Sequence, residues 1–449
     1  MNRLIVGLWL IFGVAWAQAP FTIVRPLDGA RVRETVQVRF PIRSVPQGGF
    51  IGVSIDGKFV EAVAPASLRS DRERGHYIYE WNTKARNVPD GQHTIELTLY
   101  SGTEGGNPRV LARSSVRVIV ENEIKPPAGG IRLQYRWLPP GKIVRYNMTY
   151  TVKESTEIQY SGLTPEENTL YELRFKGDLN VLDWRNNLGL ISWIVFPPAV
   201  RGAPGQYEVL TGKNFAPVYQ EVESTGRVRY QNARIGEQLQ QEYDVLYYWV
   251  GDLAIIPPKP LKPGDRWTGT IVLGNPLRSG DISEVAEDQV PAAARLERFE
   301  WERGYKCAKI VYEFTGNLPG DVDVGGIRLE KAKIKFRRET YFAYDIGQIV
   351  RQRTTIEIET TQREQAGASG GFMGGGAPPM GGRGGFAGGD EDEGGMIGGR
   401  GARGPRGGGL GLPGGAPGTP GGLGAGGQAP QRTINRLTIN EDMVLDKIL

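Results

Sequence analysis

The residues that could carry out nucleophilic or metal-assisted chemistry are few in this chain and far apart. The 449 residues include two histidines, His76 and His93, and one cysteine, Cys307. A Ser–His–Asp or Cys–His site needs a histidine beside its nucleophile, and a zinc site needs three or four histidine, cysteine or carboxylate ligands. The sequence therefore predicts no nucleophilic catalytic site, no metal site and no cofactor.

Paired carboxylates are the remaining route to hydrolysis, because a glycosidase needs only two of them in one cleft. The candidates in strand-like stretches are Glu154, Glu157, Asp178 and Asp183. Nothing in their spacing separates them from the chain's 50 acidic residues, most of which we expect to solvate the faces of sheets. We therefore expect a protein without enzymatic activity, and we keep carboxylate-dependent carbohydrate chemistry as an alternative.

Aromatic side chains could instead form a binding surface. The candidates are Trp184, Trp193, Tyr247, Tyr248, Trp249, Trp267 and Trp301. Most of them fall in apolar alternation, which predicts packing in a core. Tyr247, Tyr248 and Trp249 are consecutive, and because successive residues of a strand face opposite sides, at least one of these rings should point outward. We predict a ligand surface at these three residues.

The first 17 residues have the composition of a secretory signal peptide. Arg3 supplies a positive charge, an apolar run follows from Leu4 to Ala15, and Ala15-Trp16-Ala17 fits a cleavage site of small residues. The run is short for a spanning helix, and no later stretch reaches the roughly 18 apolar residues that such a helix needs. We expect a mature chain that begins near Gln18 and is secreted or periplasmic. No cysteine follows the run, so we do not expect a lipoprotein.

Residues 18–122 have the pattern of a small β-sandwich. Apolar and polar residues alternate over 36–40, 51–55, 94–99 and 115–120. Asp-Gly pairs, which favour turns, lie between these stretches. We expect about seven short strands in two packed sheets.

Three motifs in this region resemble the bacterial Ig-like modules of secreted and surface proteins. They are Ser54-Ile55-Asp56-Gly57, Tyr79-Glu80-Trp81-Asn82-Thr83 and Val88-Pro89-Asp90-Gly91-Gln92-His93-Thr94-Ile95. That family has an IDG hairpin, a W-x-T strand end and a DG-x-HT strand start. The resemblance implies an immunoglobulin-like sandwich that spaces or binds, with Trp81 buried and His93 in a structural turn. It implies no catalytic chemistry.

A proline- and glycine-containing linker at 123–130 leads into a larger unit at 131–365. Strand-like alternation recurs along this unit, most clearly over 144–152, 306–314, 328–344 and 348–360. Helical periodicity is confined to 235–247 and 282–300. We expect an all-β protein in which the N-terminal Ig-like sandwich precedes a larger antiparallel β-sandwich or partly open barrel.

Residues 366–430 are nearly half glycine, and such a segment cannot bury enough apolar surface to offset the entropy lost on ordering. We expect a disordered insertion that serves as a spacer. Strand-like alternation returns over Thr433–Asn440. We therefore expect 431–449 to supply a strand of the larger unit, beside Val350–Thr360.

These features favour a secreted or periplasmic protein of the bacterial envelope that binds or supports a partner. A protein or a cell-envelope glycan fits best, and the net charge of +4 is too small to favour nucleic acid. One alternative is a carbohydrate-active protein that uses exposed aromatics and a carboxylate pair. The other is a carrier whose larger sheet curves around an apolar ligand.

Overall fold

The computed structural model is built almost entirely from antiparallel strands. It describes residues 20–102, 107–158, 164–202, 208–209, 216–232, 253–272, 289–317, 322–324, 327–329, 332–363 and 432–449. Within these ranges the helical segments are two short 3-10 turns, Ile42–Ser44 and Pro65–Ser67, which confirms the predicted all-β class. No helix in these ranges has the length and apolar character needed to cross a membrane. The predicted signal peptide lies outside them.

The N-terminal unit is a sandwich of two sheets. Its strands are β1 (Ala30–Val32), β2 (Thr35–Pro41), β3 (Phe50–Ile55), β4 (Lys58–Val63), β5 (Arg69–Asp71), β6 (His76–Asn82), β7 (Gly91–Tyr100) and β8 (Val110–Val120), one more than expected. One sheet has the order β1-β8-β7-β3-β4 and the other the order β2-β6-β5. Alternate residues of both sheets point inward, so that Val38 and Trp81 of one sheet share a core with Ile95 and Val118 of the other.

All three sequence motifs meet beside this core. Trp81 is fully buried, as predicted, and its ring meets the His93 ring edge-on at 6.3 Å. His93 Nδ1 lies 2.7 Å from the Asp56 carboxylate, and His93 Nε2 lies 2.8 Å from the Pro89 carbonyl oxygen. The other Asp56 oxygen accepts the Thr94 N–H at 2.7 Å. One imidazole therefore ties the IDG turn to the DG-x-HT turn, which is a structural role.

The described residues after the sandwich form one larger sheet and two separate two-stranded pairs. The strands are β9 (Ile131–Arg132), β10 (Ile143–Ile158), β11 (Glu166–Arg185), β12 (Leu188–Val195), β13 (Ala199–Gly202), β14 (Glu208–Val209), β15 (Val218–Glu223), β16 (Val228–Gln231), β17 (Pro260–Leu261), β18 (Arg266–Val272), β19 (Gln289–Glu302), β20 (Tyr305–Asn317), β21 (Val322–Val324), β22 (Ile327–Leu329), β23 (Lys333–Ala343), β24 (Gln348–Arg363) and β25 (Arg432–Ile448). The large sheet has 13 strands, and the two separate pairs are β9 with β17 and β21 with β22. Its order is β16-β15-β12-β11-β10-β25-β24-β23-β20-β19-β18, with β13 and β14 beside β11. Among the described residues the end strands β16 and β18 do not pair with each other, so the sheet is open.

The prediction of a helix over 282–300 is wrong for the part of this segment that the structure describes, 289–300. Strand β19 covers most of it and pairs with β18 on one side and β20 on the other. The side chains of Ala292, Ala294 and Leu296 are buried at a spacing of two. Burial of this alternating set against the sheet outweighs the weak helical periodicity. The other expected helix, 235–247, lies outside the described residues.

Strand β25 confirms the pairing expected for the C-terminal segment. It pairs with β24 from Arg351 opposite Val444 to Arg363 opposite Arg432. It also pairs with β10 along its other edge, so it is an interior strand of the sheet. The glycine-rich segment therefore leaves and re-enters the sheet between two directly paired residues.

Replacement of residues 366–430 by a short turn should leave the thermal midpoint within a few degrees. Strands β24 and β25 already pair up to Arg363 and Arg432, and the removed residues have little apolar content to contribute to a core. Calorimetry of the shortened chain tests this expectation. Loss of the cooperative unfolding transition would mean that the segment is required for the fold.

The inward face of the large sheet is mixed in polarity. Directly opposed residues on five neighbouring strands form one row: Tyr312, Arg338, Thr354, Glu441 and Tyr150. Each of these side chains is at most 4% exposed. An arginine and a glutamate are therefore enclosed in the interior among apolar residues, and the interior of the sheet is not a purely apolar surface.

Candidate functional site

A cleft of about 1010 Å³ separates the N-terminal sandwich from the outer face of the large sheet. The sandwich contributes residues from three segments, 33–35, 82–90 and 122–123. The floor comes from β19, β20, β23 and β24. Clefts of this size at domain boundaries are common ligand sites. Because it combines residues from both units, this cleft is the candidate functional site.

Backbone hydrogen bonds fix the two units to each other at one end of the cleft. The Trp301 N–H donates to the Asn122 carbonyl at 2.9 Å, and the Ile124 N–H donates to the Phe299 carbonyl at 2.8 Å. Glu123 thereby forms an antiparallel bridge with Glu300. The start of the segment interpreted as a linker is thus bonded to β19 and holds one wall of the cleft against its floor.

Lys84 extends from the sandwich into the floor of the cleft. It follows Thr83, whose buried hydroxyl lies 2.9 Å from the Glu34 carbonyl and 3.1 Å from Asn122 Oδ1. Lys84 Nζ donates to the Trp301 carbonyl at 2.7 Å and forms an ion pair with Glu302. The strand end that carries the W-x-T motif therefore aims this ammonium across the domain boundary.

Two buried carboxylates share the Lys84 ammonium. Glu300 is 2% exposed and lies 3.4 Å from Lys84 Nζ, and Glu302 is 7% exposed. Arg298 Nε donates to Glu300 at 2.8 Å, and Arg351 lies 3.5 Å from Glu302. Each carboxylate therefore has two cationic neighbours, as burial of a charge requires.

A second clamp joins the units through Glu34. The Glu34 carboxylate accepts the backbone N–H groups of Arg303 and Gly304, the latter at 2.9 Å. Arg303 and Gly304 form the two-residue turn between β19 and β20, with φ of 53° and 82°. Positive φ at both positions is the geometry of a type I′ hairpin turn. The Glu34 carboxylate of the sandwich thus accepts hydrogen bonds from two backbone N–H groups of a turn in the large sheet.

Lys309 and its partners form the remainder of the floor. Its ammonium lies 2.8 Å from Glu297 and 3.5 Å from Glu339. Burial by itself raises the pKa of Glu297 and of Glu339, but hydrogen bonds and nearby cations outweigh burial and lower both pKa values below the ordinary 4.5. Burial and the carboxylates around it raise the pKa of Tyr341, whose ring lies 5.0 Å from Lys84 Nζ. Glu297 and Glu339 are therefore ionised at neutral pH, whereas Tyr341 is neutral.

Three exposed arginines lie at the mouth of the cleft: Arg33, Arg303 and Arg353. Arg33 Cζ lies 3.7 Å from the centre of the Trp301 ring, so this guanidinium is held by stacking. Within the described part of the chain, Arg33 and Arg303 form no side-chain ion pair. Arg353 lies 4.0 Å from Asp442, a carboxylate already paired with another arginine. The floor is internally compensated, whereas the mouth retains cations.

Loss of the Lys84 charge should destabilise the joint between the two units. In Lys84→Met, Glu300 and Glu302 lose their shared cation, and we expect the free energy of unfolding to fall by about 2–3 kcal/mol. Chemical denaturation measures this change. Lys58→Met removes an exposed lysine of the same sandwich and should have little effect. Equal stability of the two variants would contradict the role given to Lys84.

The carboxylates around Lys309 should make stability depend on pH in the acidic range. Because the folded-state pKa values of Glu297 and Glu339 are lowered, their contribution is complete above the ordinary value of 4.5 and is lost as the pH falls through the folded values. Unfolding measured against pH should show this loss, and Glu297→Gln with Glu339→Gln should reduce the slope. Glu73→Gln, at an exposed position, is the control. An unchanged slope in the double variant would be inconsistent with this assignment.

The structure does not bring the four predicted carboxylates together. Asp178 is buried against Arg145, with two contacts of 2.7 Å, and Glu157 pairs with Arg436. Asp178 is opposite Arg145 on β10, so Glu154 lies about 30 Å along the strand from it at about 3.3 Å per residue. Asp183 contacts Arg185. They form no common cleft.

The predicted ligand surface at Tyr247, Tyr248 and Trp249 lies outside the described residues. Of the other aromatic candidates, Trp193 is in the core, whereas Trp184 is 53% exposed. Cys307 is fully buried, and burial together with the nearby Glu302 carboxylate raises the pKa of its thiol. Within the described residues, no group of three or more His, Cys, Asp or Glu side chains is placed to hold a metal ion.

Apart from Trp301, whose ring lies against Arg33, the residues of this site were not among the candidates from the sequence. Charges at alternate positions, as in Arg298, Glu300 and Glu302, are typical of a solvated sheet face. A weak signal does exist in β20. Ile310 and Val311 are consecutive apolar residues that face opposite sides of the strand, and the structure buries every residue from Cys307 to Tyr312. Two-sided burial in an antiparallel strand indicates that another unit covers the sheet.

No protein-family model matches this chain, and no curated protein matches it.

Proposed function

We propose that this protein is an exported, non-catalytic binding protein of the bacterial cell envelope that holds a glycan in the cleft between its N-terminal sandwich and its large sheet. The observation that carries the proposal is the cleft itself, a 1010 Å³ concavity whose walls come from both units. The order of charge, apolar run and small residues in 1–17 supports export. The three motifs around Asp56, Trp81 and His93 support an Ig-like identity for the sandwich.

The chemistry of the cleft favours a glycan over a protein as the ligand. Protein interfaces depend on buried aromatic or aliphatic anchors with few charges at their centre. The centre of this cleft is instead occupied by charged residues, including Lys84, Glu300 and Lys309. A ligand rich in hydroxyl groups can exchange hydrogen bonds with such groups without a large apolar contact area.

The same chemistry disfavours hydrolysis. A glycosidase needs one protonated and one ionised carboxyl group with the glycosidic bond between them. Here the space between Glu300 and Glu302 is occupied by the Lys84 ammonium. Among the described lining residues there is no histidine, cysteine or serine that could serve as base or nucleophile. Binding without turnover is the chemistry that this arrangement supports best.

The carrier alternative is less well supported than binding in the cleft. A cavity for an apolar ligand should be lined by apolar side chains. The interior of the large sheet includes Arg338 and Glu441, both buried. Because these two ionisable residues lie in the interior, it does not offer the wholly apolar lining that such a ligand needs.

Blocking the cleft is the direct test of the proposal. Ala85 is exposed and lines the cleft, so Ala85→Trp should obstruct it without a change in charge, whereas Ala66→Trp adds the same bulk elsewhere on the sandwich. Calorimetry with dextran, polygalacturonate and soluble peptidoglycan fragments should show binding of at least one by the parent chain and Ala66→Trp, and its loss in Ala85→Trp. Equal binding by both variants, no binding at all, or release of shortened sugars would contradict the proposal.

A further inference from the structure

We infer that the ligand of the cleft is acidic, a glycan bearing carboxylate or phosphate groups that pair with Arg33, Arg303 and Arg353. This inference rests on the proposed function, because it names the class of ligand for the same cleft. It comes from the difference between the floor, where the charges compensate each other, and the mouth, where guanidinium groups remain available.

The three arginines are suited to anions by position and by chemistry. All three are exposed at the mouth of a single cleft. A guanidinium group presents a planar fork of donors that matches a carboxylate or phosphate with two parallel hydrogen bonds. Stacking on Trp301 leaves the edges of the Arg33 guanidinium open for such bonds and reduces the entropy lost when it binds.

Acidic groups at the mouth are fewer and partly engaged. The Asp90 carboxylate accepts the backbone N–H groups of Asn122 at 2.8 Å and Glu123 at 2.9 Å. Glu123 is the other exposed carboxylate among the described residues at the mouth. The balance of available charge therefore attracts an anionic ligand and disfavours a cationic one.

The floor adds a reason why a charged ligand would bind at the mouth rather than deeper. Glu300 and Glu302 are buried and share Lys84, and each has one further cationic neighbour, Arg298 for Glu300 and Arg351 for Glu302. An anion that displaced them would leave two uncompensated buried carboxylates, which is unfavourable. Acidic groups of the ligand therefore contact the three arginines, and its hydroxyl groups contact the polar floor.

The test compares charged and uncharged forms of one polymer. Polygalacturonate should bind, and its fully methyl-esterified form should have an affinity lower by about tenfold or more. Added salt should weaken binding of the charged polymer. A glycerol-phosphate polymer measured in parallel distinguishes phosphate from carboxylate as the source of the charge.

The triple variant Arg33→Gln, Arg303→Gln and Arg353→Gln should lose the preference for the charged form. Arg43→Gln with Arg113→Gln and Arg132→Gln removes the same charge from exposed arginines away from the cleft and should keep it.

Each outcome bears on one of the two proposals. A preference for a charged polymer that disappears only in the cleft variant supports the inference. Equal binding of the charged and esterified polymers, blocked by Ala85→Trp, would overturn the acidic ligand and leave glycan binding in place. Failure of every polymer to bind, with the variants folded by circular dichroism, would overturn both.

Discussion

A chain that ends at Gly427 should fail to form the large sheet. Strand β25 lies between β10 and β24 and pairs with both along most of its length. Its buried side chains include Ile439, Met443 and Leu445, and each such side chain contributes about 2–5 kcal/mol when truncated. A domain has a net stability of only about 5–15 kcal/mol, so removal of the whole strand should exceed it.

Circular dichroism and limited proteolysis measure this loss directly. The truncated chain should lose most of its β signal, be cut throughout 131–363 and aggregate through its unpaired strands. The chain that lacks only 366–430 keeps β25 and is the matched control. A truncated chain with the same cooperative transition as the control would contradict the assignment of β25 as an interior strand.

Trp81→Ala should lower the free energy of unfolding by about 3–5 kcal/mol, the range for removal of a buried large aromatic side chain. Trp81 is fully buried between the two sheets of the sandwich. Its ring also packs against His93, whose contacts with Asp56 and Pro89 join two turns. The cavity left by the substitution should therefore weaken both the core and the turns beside it.

Trp184→Ala is the control for this prediction. Trp184 is 53% exposed, and substitutions at exposed positions change stability by about 0.5 kcal/mol or less. Denaturant unfolding of the two variants should separate them clearly. Equal midpoints would mean that the sandwich does not depend on Trp81.

The fold could be predicted from the sequence wherever one face of a strand is buried. Alternation over Thr433–Asn440 predicted a strand beside Val350–Thr360, and the structure pairs these segments. The same reasoning predicted that Trp81 is buried. It failed over 282–300, because this alanine-rich segment is interrupted by charges and has neither a clear helical nor a clear strand periodicity. Its structure is decided by pairing with β18 and β20, which the local sequence does not reveal.

The cleft could not be predicted in this way, because it depends on contacts between distant parts of the chain. Lys84 bonds to Trp301, and Glu34 bonds to Arg303 and Gly304, in each case across more than 200 positions of sequence. Each of these residues is typical of an exposed turn or strand end when considered alone. Their roles follow from the way in which the sandwich lies on the large sheet, and no local pattern encodes that placement.

Hydrogen exchange of the full chain with and without polygalacturonate tests most directly the claim that the cleft is the binding site. Amides of 84–90 in the sandwich and of 301–304 around the β19–β20 turn should exchange more slowly when the polymer is bound. Amides of β15 and β16, at the opposite end of the large sheet, should exchange at an unchanged rate. Slower exchange confined to β15 and β16, with 84–90 and 301–304 unchanged, would contradict a binding site between the two units.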